Sequence, residues 1–158
     1  HLAGIEFAAR TGVKWAYIPY KGGAPAVADT VGGQANVVFN GMLATWPSVT
    51  GGKLRALAVT SSQRVPSAPD TPTVAETLPG FESVVWHGMM VPAKTPASIV
   101  NRIAQEILRI TKMPDFRERL NSQGLDVIGS TPEKMGEMVR AEIGRWGPVI
   151  RQAGVRLE

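Results

Sequence analysis

Apolar and polar positions along this chain alternate between two rhythms. Leu2, Ile5 and Ala9 recur at helical spacing over His1–Arg10, and Gly12 stands where a helix-terminating glycine belongs. Val13–Ile18, rich in aromatic and branched residues, predicts a short strand. Ala24–Val31 predicts a helix with Pro25 in its first turn and Gly32-Gly33 closing it. Asn36–Phe39 is a compact apolar run, and Lys53–Thr60 alternates around Leu54, Ala56 and Ala58 with Leu57 and Val59 opposite. Both predict strands, and both faces of the second are expected to be covered. Between them Gly41–Val49 reads as a helix kept short or kinked by Pro47. Helix and strand thus alternate with short connections, which predicts an α/β layer with a largely parallel sheet.

The rhythm then changes. Ser61–Gly80 holds four prolines, Pro66, Pro69, Pro72 and Pro79, and reads as an ordered surface connection with one short helix near Thr73–Thr77. Phe81–Val91 is extended. Thr95 as cap and Pro96 as first residue open a helix that places Ile99, Ile103, Ile107 and Ile110 on one face. A second helix starts at Pro114, with Phe116 and Leu120 inward. Leu125–Ile128 predicts a strand. Ser130, with Glu133 at capping-box spacing, opens a last helix that ends at Gly154. The extended stretch near Val84–Val91 separates an α/β part from a helix-rich part, so two lobes are expected, 1–85 and 86–158.

Composition narrows the class. The 158 residues are 44% apolar and 19% charged, as in ordinary globular proteins. The net charge of +4 is dispersed, and aromatic residues are only 6%, so no nucleic-acid partner is expected. Cysteine is absent, which excludes disulfides and a thiol nucleophile. The opening His1-Leu2-Ala3-Gly4 reads as the middle of a helix, so the chain is expected to be a piece of a longer polypeptide whose targeting segment lies upstream.

Catalytic chemistry is thin. His1 and His87 are the only histidines, and His87 lies in an apolar extended run where a satisfied strand residue is the simpler reading. No metal-ligand spacing, nucleophile elbow or phosphate-binding glycine motif occurs, so neither a cofactor nor an enzyme is expected. Three segments remain. Pro19-Tyr20-Lys21-Gly22-Gly23-Ala24-Pro25 joins a strand to a helix start, where free N–H groups and the helix dipole favour an anion. A tight turn needing glycine for its backbone angles is the competing reading. Phe39-Asn40-Gly41 ends another strand, and Asn40 either meets a ligand or caps the next helix. Trp86 in Trp86-His87-Gly88 either lines a cleft or belongs to the core.

Taken together, Ile18 through Ala26, Gly32 through Phe39, Gly52 through Thr60, Pro69 through Glu76, Trp86-His87-Gly88, Val91 through Pro96, and the ending from Ala141 through Trp146 with Ala153-Gly154-Val155 resemble one family. It is the substrate-binding proteins of tripartite tricarboxylate transporters, the Bug receptors. The resemblance implies a periplasmic-binding-protein type II (Venus flytrap) fold with a cleft between lobes. It also implies a periplasmic location and hand-over of a small carboxylate to membrane transporter subunits. By the resemblance, Gly22, Gly23, Ala24, Pro25 and Asn40 are ligand-binding positions of one lobe, and His1 closes the family's small-residue ligand loop. Trp86 is added from its place at the lobe crossing. Asn40 stands where many members have Asp, and His87 where Tyr or Phe is common. Members are longer, so this chain corresponds to their C-terminal half, and its unpaired sheet edges are expected to favour a homodimer. The alternative is a ligand-sensing effector domain of a transcription regulator, which requires a DNA-binding helix pair that the chain does not display.

Overall fold

A computed structural model describes residues 1–153. The expected helix end at Gly154 and the family-like Gly154-Val155 lie outside the described residues. Six α-helices are present among the described residues: α1 (Leu2–Thr11), α2 (Gly23–Val31), α3 (Met42–Thr50), α4 (Ala97–Ile110), α5 (Pro114–Asn121) and α6 (Pro132–Ala153). A 3₁₀ turn spans Val74–Glu76. Two compact units are present. The first is His1–Val85 with Leu120–Asp126, and the second is Trp86–Arg119 with the described residues from Val127 on.

The helices form where the periodicity places them. Gly12 ends α1 in the left-handed region at φ 74°, and its N–H donates to the Ala8 carbonyl at 2.9 Å. Pro47 falls inside α3, which stays short at 9 residues. The last helix is capped one residue later than expected. Thr131 Oγ1, not Ser130, accepts the Lys134 N–H at 3.4 Å, and Pro132 takes the first helical position.

The expected strands behave differently. Val13–Ile18, Asn36–Phe39, Leu125–Ile128 and most of Lys53–Thr60 form no ladder, so the parallel sheet is not seen among the described residues. One parallel bridge joins Val59 to Thr73. There Val59 N–H donates to the Pro72 carbonyl at 2.8 Å, and Val74 N–H to the Val59 carbonyl at 2.9 Å. Next to it Thr60 and Ser83 exchange bonds, Ser83 N–H to the Thr60 carbonyl at 2.7 Å and Thr60 Oγ1 to the Ser83 carbonyl at 2.6 Å. The expectation that both faces of 53–60 are covered is overturned, since Leu57 is 58% exposed. Branched and aromatic residues favour extended backbone, but a sheet also needs a neighbouring strand about 4.8 Å away.

Aromatic rings replace the ladder as the cement of the first unit. Phe7 of α1 stacks on Trp15 at 5.6 Å and lies 5.7 Å from Phe39 and 6.1 Å from Phe81, edge to face with the last. Phe81 is fully buried. The Arg10 guanidinium sits 5.7 Å from its ring centre and donates to the Pro79 carbonyl at 2.7 Å. Such ring pairs add about 1 kcal/mol each beyond the area they bury. They hold α1 against three extended segments that have almost no main-chain bonds to each other.

The proline-rich connection is ordered by charge. The Glu76 carboxylate accepts Arg64 Nε at 2.8 Å and Nη2 at 2.9 Å, and also the Thr73 N–H at 3.0 Å. The Thr73 hydroxyl accepts the Glu76 N–H at 3.1 Å, completing a reciprocal cap. Arg64 and the Thr73 amide together hold the Glu76 carboxyl down to about 2 from its ordinary 4.5. The unfolded chain therefore binds more protons than the native one between these values. The stabilisation from Glu76 is complete above about pH 4.5 and lost as the pH falls towards 2. Urea midpoints should drop through that window, and Glu76→Gln should start lower at neutral pH and lose less on acidification.

Gly124 carries the turn after α5 onto α3. It is buried at φ 77°, and a Cβ there would lie 2.9 Å from Met42 Cβ and 3.4 Å from Trp46 Cβ. Gly124→Ala adds left-handed strain to this overlap, a cost of about 2 kcal/mol or more. A thermal melt should show a clear fall in Tm, and an unchanged Tm would refute the packing.

Candidate functional site

The polar geometry of the first unit concentrates at two turns that feed helices. In the first, Gly22 N–H donates to the Tyr20 carbonyl at 2.9 Å, folding the chain back tightly. Gly22 then takes φ 108° and ψ 173°, a conformation that favours glycine, so the turn reading and the ligand reading of this segment are compatible. Tyr20 Oη donates to Asp29 Oδ2 at 2.9 Å and ties the turn to the body of α2. This bond, with some burial and the Asp29 charge, raises the Tyr20 phenol above its ordinary value.

The second turn reaches the first through one side chain. Asn40 Nδ2 donates to the Gly23 carbonyl at 3.1 Å, and Asn40 Oδ1 accepts the Gly41 N–H at 2.9 Å. Asn40 therefore bonds the first residue of α2 and the cap residue of α3 at once. A Cβ on Gly23 would lie 2.6 Å from Asn40 Nδ2 and 2.7 Å from Oδ1, so the carboxamide rests directly on the glycine. The Asn40 carboxamide does not cap α3, because its bond goes to the Gly41 N–H ahead of the helix and not to an amide of the first turn. One N–H and one lone pair of the carboxamide are left for other partners.

Neither helix start has a side-chain cap or an acidic residue in its first turn. Among the described residues, the amides of Gly23 and Ala24 in α2 and of Met42 and Leu43 in α3 have no acceptor. Gly22, Ala24 and Pro25 are exposed. Unpaired amides at a helix start carry the positive end of the dipole, so both starts favour an anion. Pro25 contributes no N–H, but it fixes the first turn in helical geometry.

His1 and Trp86 take no part in these hydrogen bonds. His1 caps α1, exposed, with its ring 5.2 Å from that of Tyr17 in the segment leading to the first turn. Trp86 belongs to the second unit and is half-buried, beside Gly88, over which Met135 of α6 also packs. His87 is exposed, and no group of acidic or histidine side chains that could hold a metal occurs among the described residues. An open groove in the second unit runs along the apolar stripe of α4, lined by Ile99, Ile103, Ile107 and Ile110. It has no cluster of amides. No helix among the described residues is long and apolar enough to cross a membrane.

The Asn40–Gly23 link, which spans 17 residues, has no local signal in the sequence. The same is true of the Gly124 contact with α3. The Tyr20–Asp29 bond was open to reading only in hindsight, as a phenol and a carboxylate one short helix apart.

Comparison with known proteins assigns the chain to a family of transporter-linked receptors. The family model described as "Tripartite tricarboxylate transporter family receptor" matches residues 1–155, and the chain belongs to this family. The UPF0065 protein in the tcbD-tcbE intergenic region of Pseudomonas sp. strain P51 is 37% identical over 95% of this chain and 45% of its own length. The solved R. palustris protein Rpa4515 with adipate superposes with a TM-score of 0.91 at 33% identity, covering 98% of this chain and 52% of that one. MatC from Rhodopseudomonas palustris with bound malate gives 0.81 at 30% identity, covering 94% and 52%. The fold is therefore that of the family's solute-binding proteins, and the chain spans about half the length of these relatives.

The contact between Gly23 and Asn40 can be tested by a double-mutant cycle. Gly23→Ala should destabilise by about 1 kcal/mol or more, because the new methyl displaces the carboxamide. In an Asn40→Ala background the same change should be neutral or slightly stabilising, since Ala is the better helix residue. Additive effects in urea melts would refute the contact.

Proposed function

We propose that this chain contributes the anion-binding part of a periplasmic receptor that captures a small carboxylate and hands it to a tripartite transporter. The observation that carries the reading is the pair of uncapped helix starts at Gly23-Ala24 and Met42-Leu43, with no acid in either first turn. A carboxylate supplies the acceptors that these amides lack, and it meets no like charge there. The ligands of two structural neighbours, adipate and malate, are both dicarboxylates and support this ligand class. Membership of a receptor family supports binding without turnover.

In this proposal the amides of Gly23 and Ala24 hold a carboxylate oxygen, and Gly22 and Pro25 shape the turn that exposes them. His1 and Trp86 are assigned as further ligand contacts. The extended segments 13–18, 36–39 and 53–60 are proposed as strands of the family's parallel sheet, one face of which carries α1.

Ala24→Asp tests the site. An acid at the second helical position complements the dipole, so Tm should hold or rise slightly. The same charge repels a bound carboxylate and should weaken adipate or malate binding about tenfold or more in calorimetric titration. Unchanged affinity for whichever acid the protein binds would exclude the start of α2 as the anion site.

A further inference from the structure

We propose that Asn40 is a positioning residue: its carboxamide staples the starts of α2 and α3 together and thereby sets the aim of their free amides. The inference rests on the carboxylate reading above but assigns Asn40 a role other than ligand contact. Three observations carry it. The carboxamide uses its donor on the Gly23 carbonyl and its acceptor on the Gly41 N–H, at 3.1 and 2.9 Å. Gly23 has no Cβ where one would collide with that carboxamide, so the close approach depends on both residues. The amides left open, those of Gly23, Ala24, Met42 and Leu43, flank the two stapled groups along the chain.

The donor and acceptor ends are not interchangeable. The Gly23 carbonyl requires an N–H or O–H facing it, which a carboxylate cannot supply. An ionised Asp in place of Asn40 would keep the Gly41 bond, face the Gly23 carbonyl with an acceptor, and put a negative charge beside both helix starts. Protonated, its O–H could donate to Gly23 again. Asn gives the staple without the charge and without pH dependence.

The test compares wild type, Asn40→Ala and Asn40→Asp by three measurements: calorimetric titration with malate and adipate, ¹⁵N amide NMR and thermal melting. We expect Asn40→Ala to lose at least tenfold in affinity at pH 7, with Tm of both variants within a few degrees of wild type. The Gly23, Ala24, Gly41 and Met42 resonances should shift in both. In Asn40→Asp, without ligand, they should return towards wild-type positions as the introduced carboxyl protonates, a pH response that mere loss of packing would not produce. Wild-type resonances in Asn40→Ala, or unchanged affinity despite shifted resonances, overturns the staple. If the wild type binds neither acid, the carboxylate reading fails, and the resonances decide the staple alone: shifts that reverse on acidification support it, and their absence overturns it.

Discussion

A peptide N–H at a helix start must find an acceptor from a side chain, water or ligand, because the helix itself provides none. That constraint organises the first unit. Most helices solve it with Ser, Thr, Asp or Asn at the cap. In this chain α2 and α3 are capped by glycines instead, Gly22 and Gly41. The 3₁₀ turn at Val74–Glu76 shows the contrast within the same unit, with a Thr73 hydroxyl and a Glu76 carboxylate satisfying each other's main chain. One helix start is sealed by its own side chains. The starts of α1, α2 and α3 have no side-chain cap, and of these α2 and α3 are the pair joined by Asn40.

The legibility of the sequence followed the range of the forces involved. Helices are closed by bonds four residues apart, so periodicity and punctuation at Gly12, Pro25 and Pro114 located all six of those described. The small errors, such as Thr131 capping in place of Ser130, are of the one-residue kind that neighbouring hydroxyls invite. Strands depend on partners distant in sequence. Val13–Ile18 and Asn36–Phe39 have strand composition, but among the described residues only the Val59–Thr73 bridge is formed, and apolar residues such as Ile18 and Val37 remain half exposed. Composition reports what a segment prefers beside a neighbour and says nothing of whether the neighbour is there.

The site divides along the same line. Gly22 through Pro25 were legible because a glycine pair before a helix is a local signal. The cluster of Phe7, Trp15, Phe39 and Phe81 was not, because those rings meet only after the chain has folded across more than seventy residues. The family resemblance supplied the receptor reading. It could not supply the mechanical role of Asn40, which is a matter of ångströms between two turns.

That role changes how the glycine at position 23 is understood. A helix's first residue gains nothing from glycine, which costs conformational entropy on folding. Gly23 does not take a positive φ, so backbone freedom does not account for it. What accounts for it is the carboxamide of Asn40, which occupies the volume that any side chain would fill. The pair is therefore one device built from two positions: a missing side chain at the start of one helix admits a bond from the residue before the next. A chain that filled the gap at Gly23 would have to give up the bond at Asn40, and the two helix starts would lose the only side-chain link between them that is seen among the described residues.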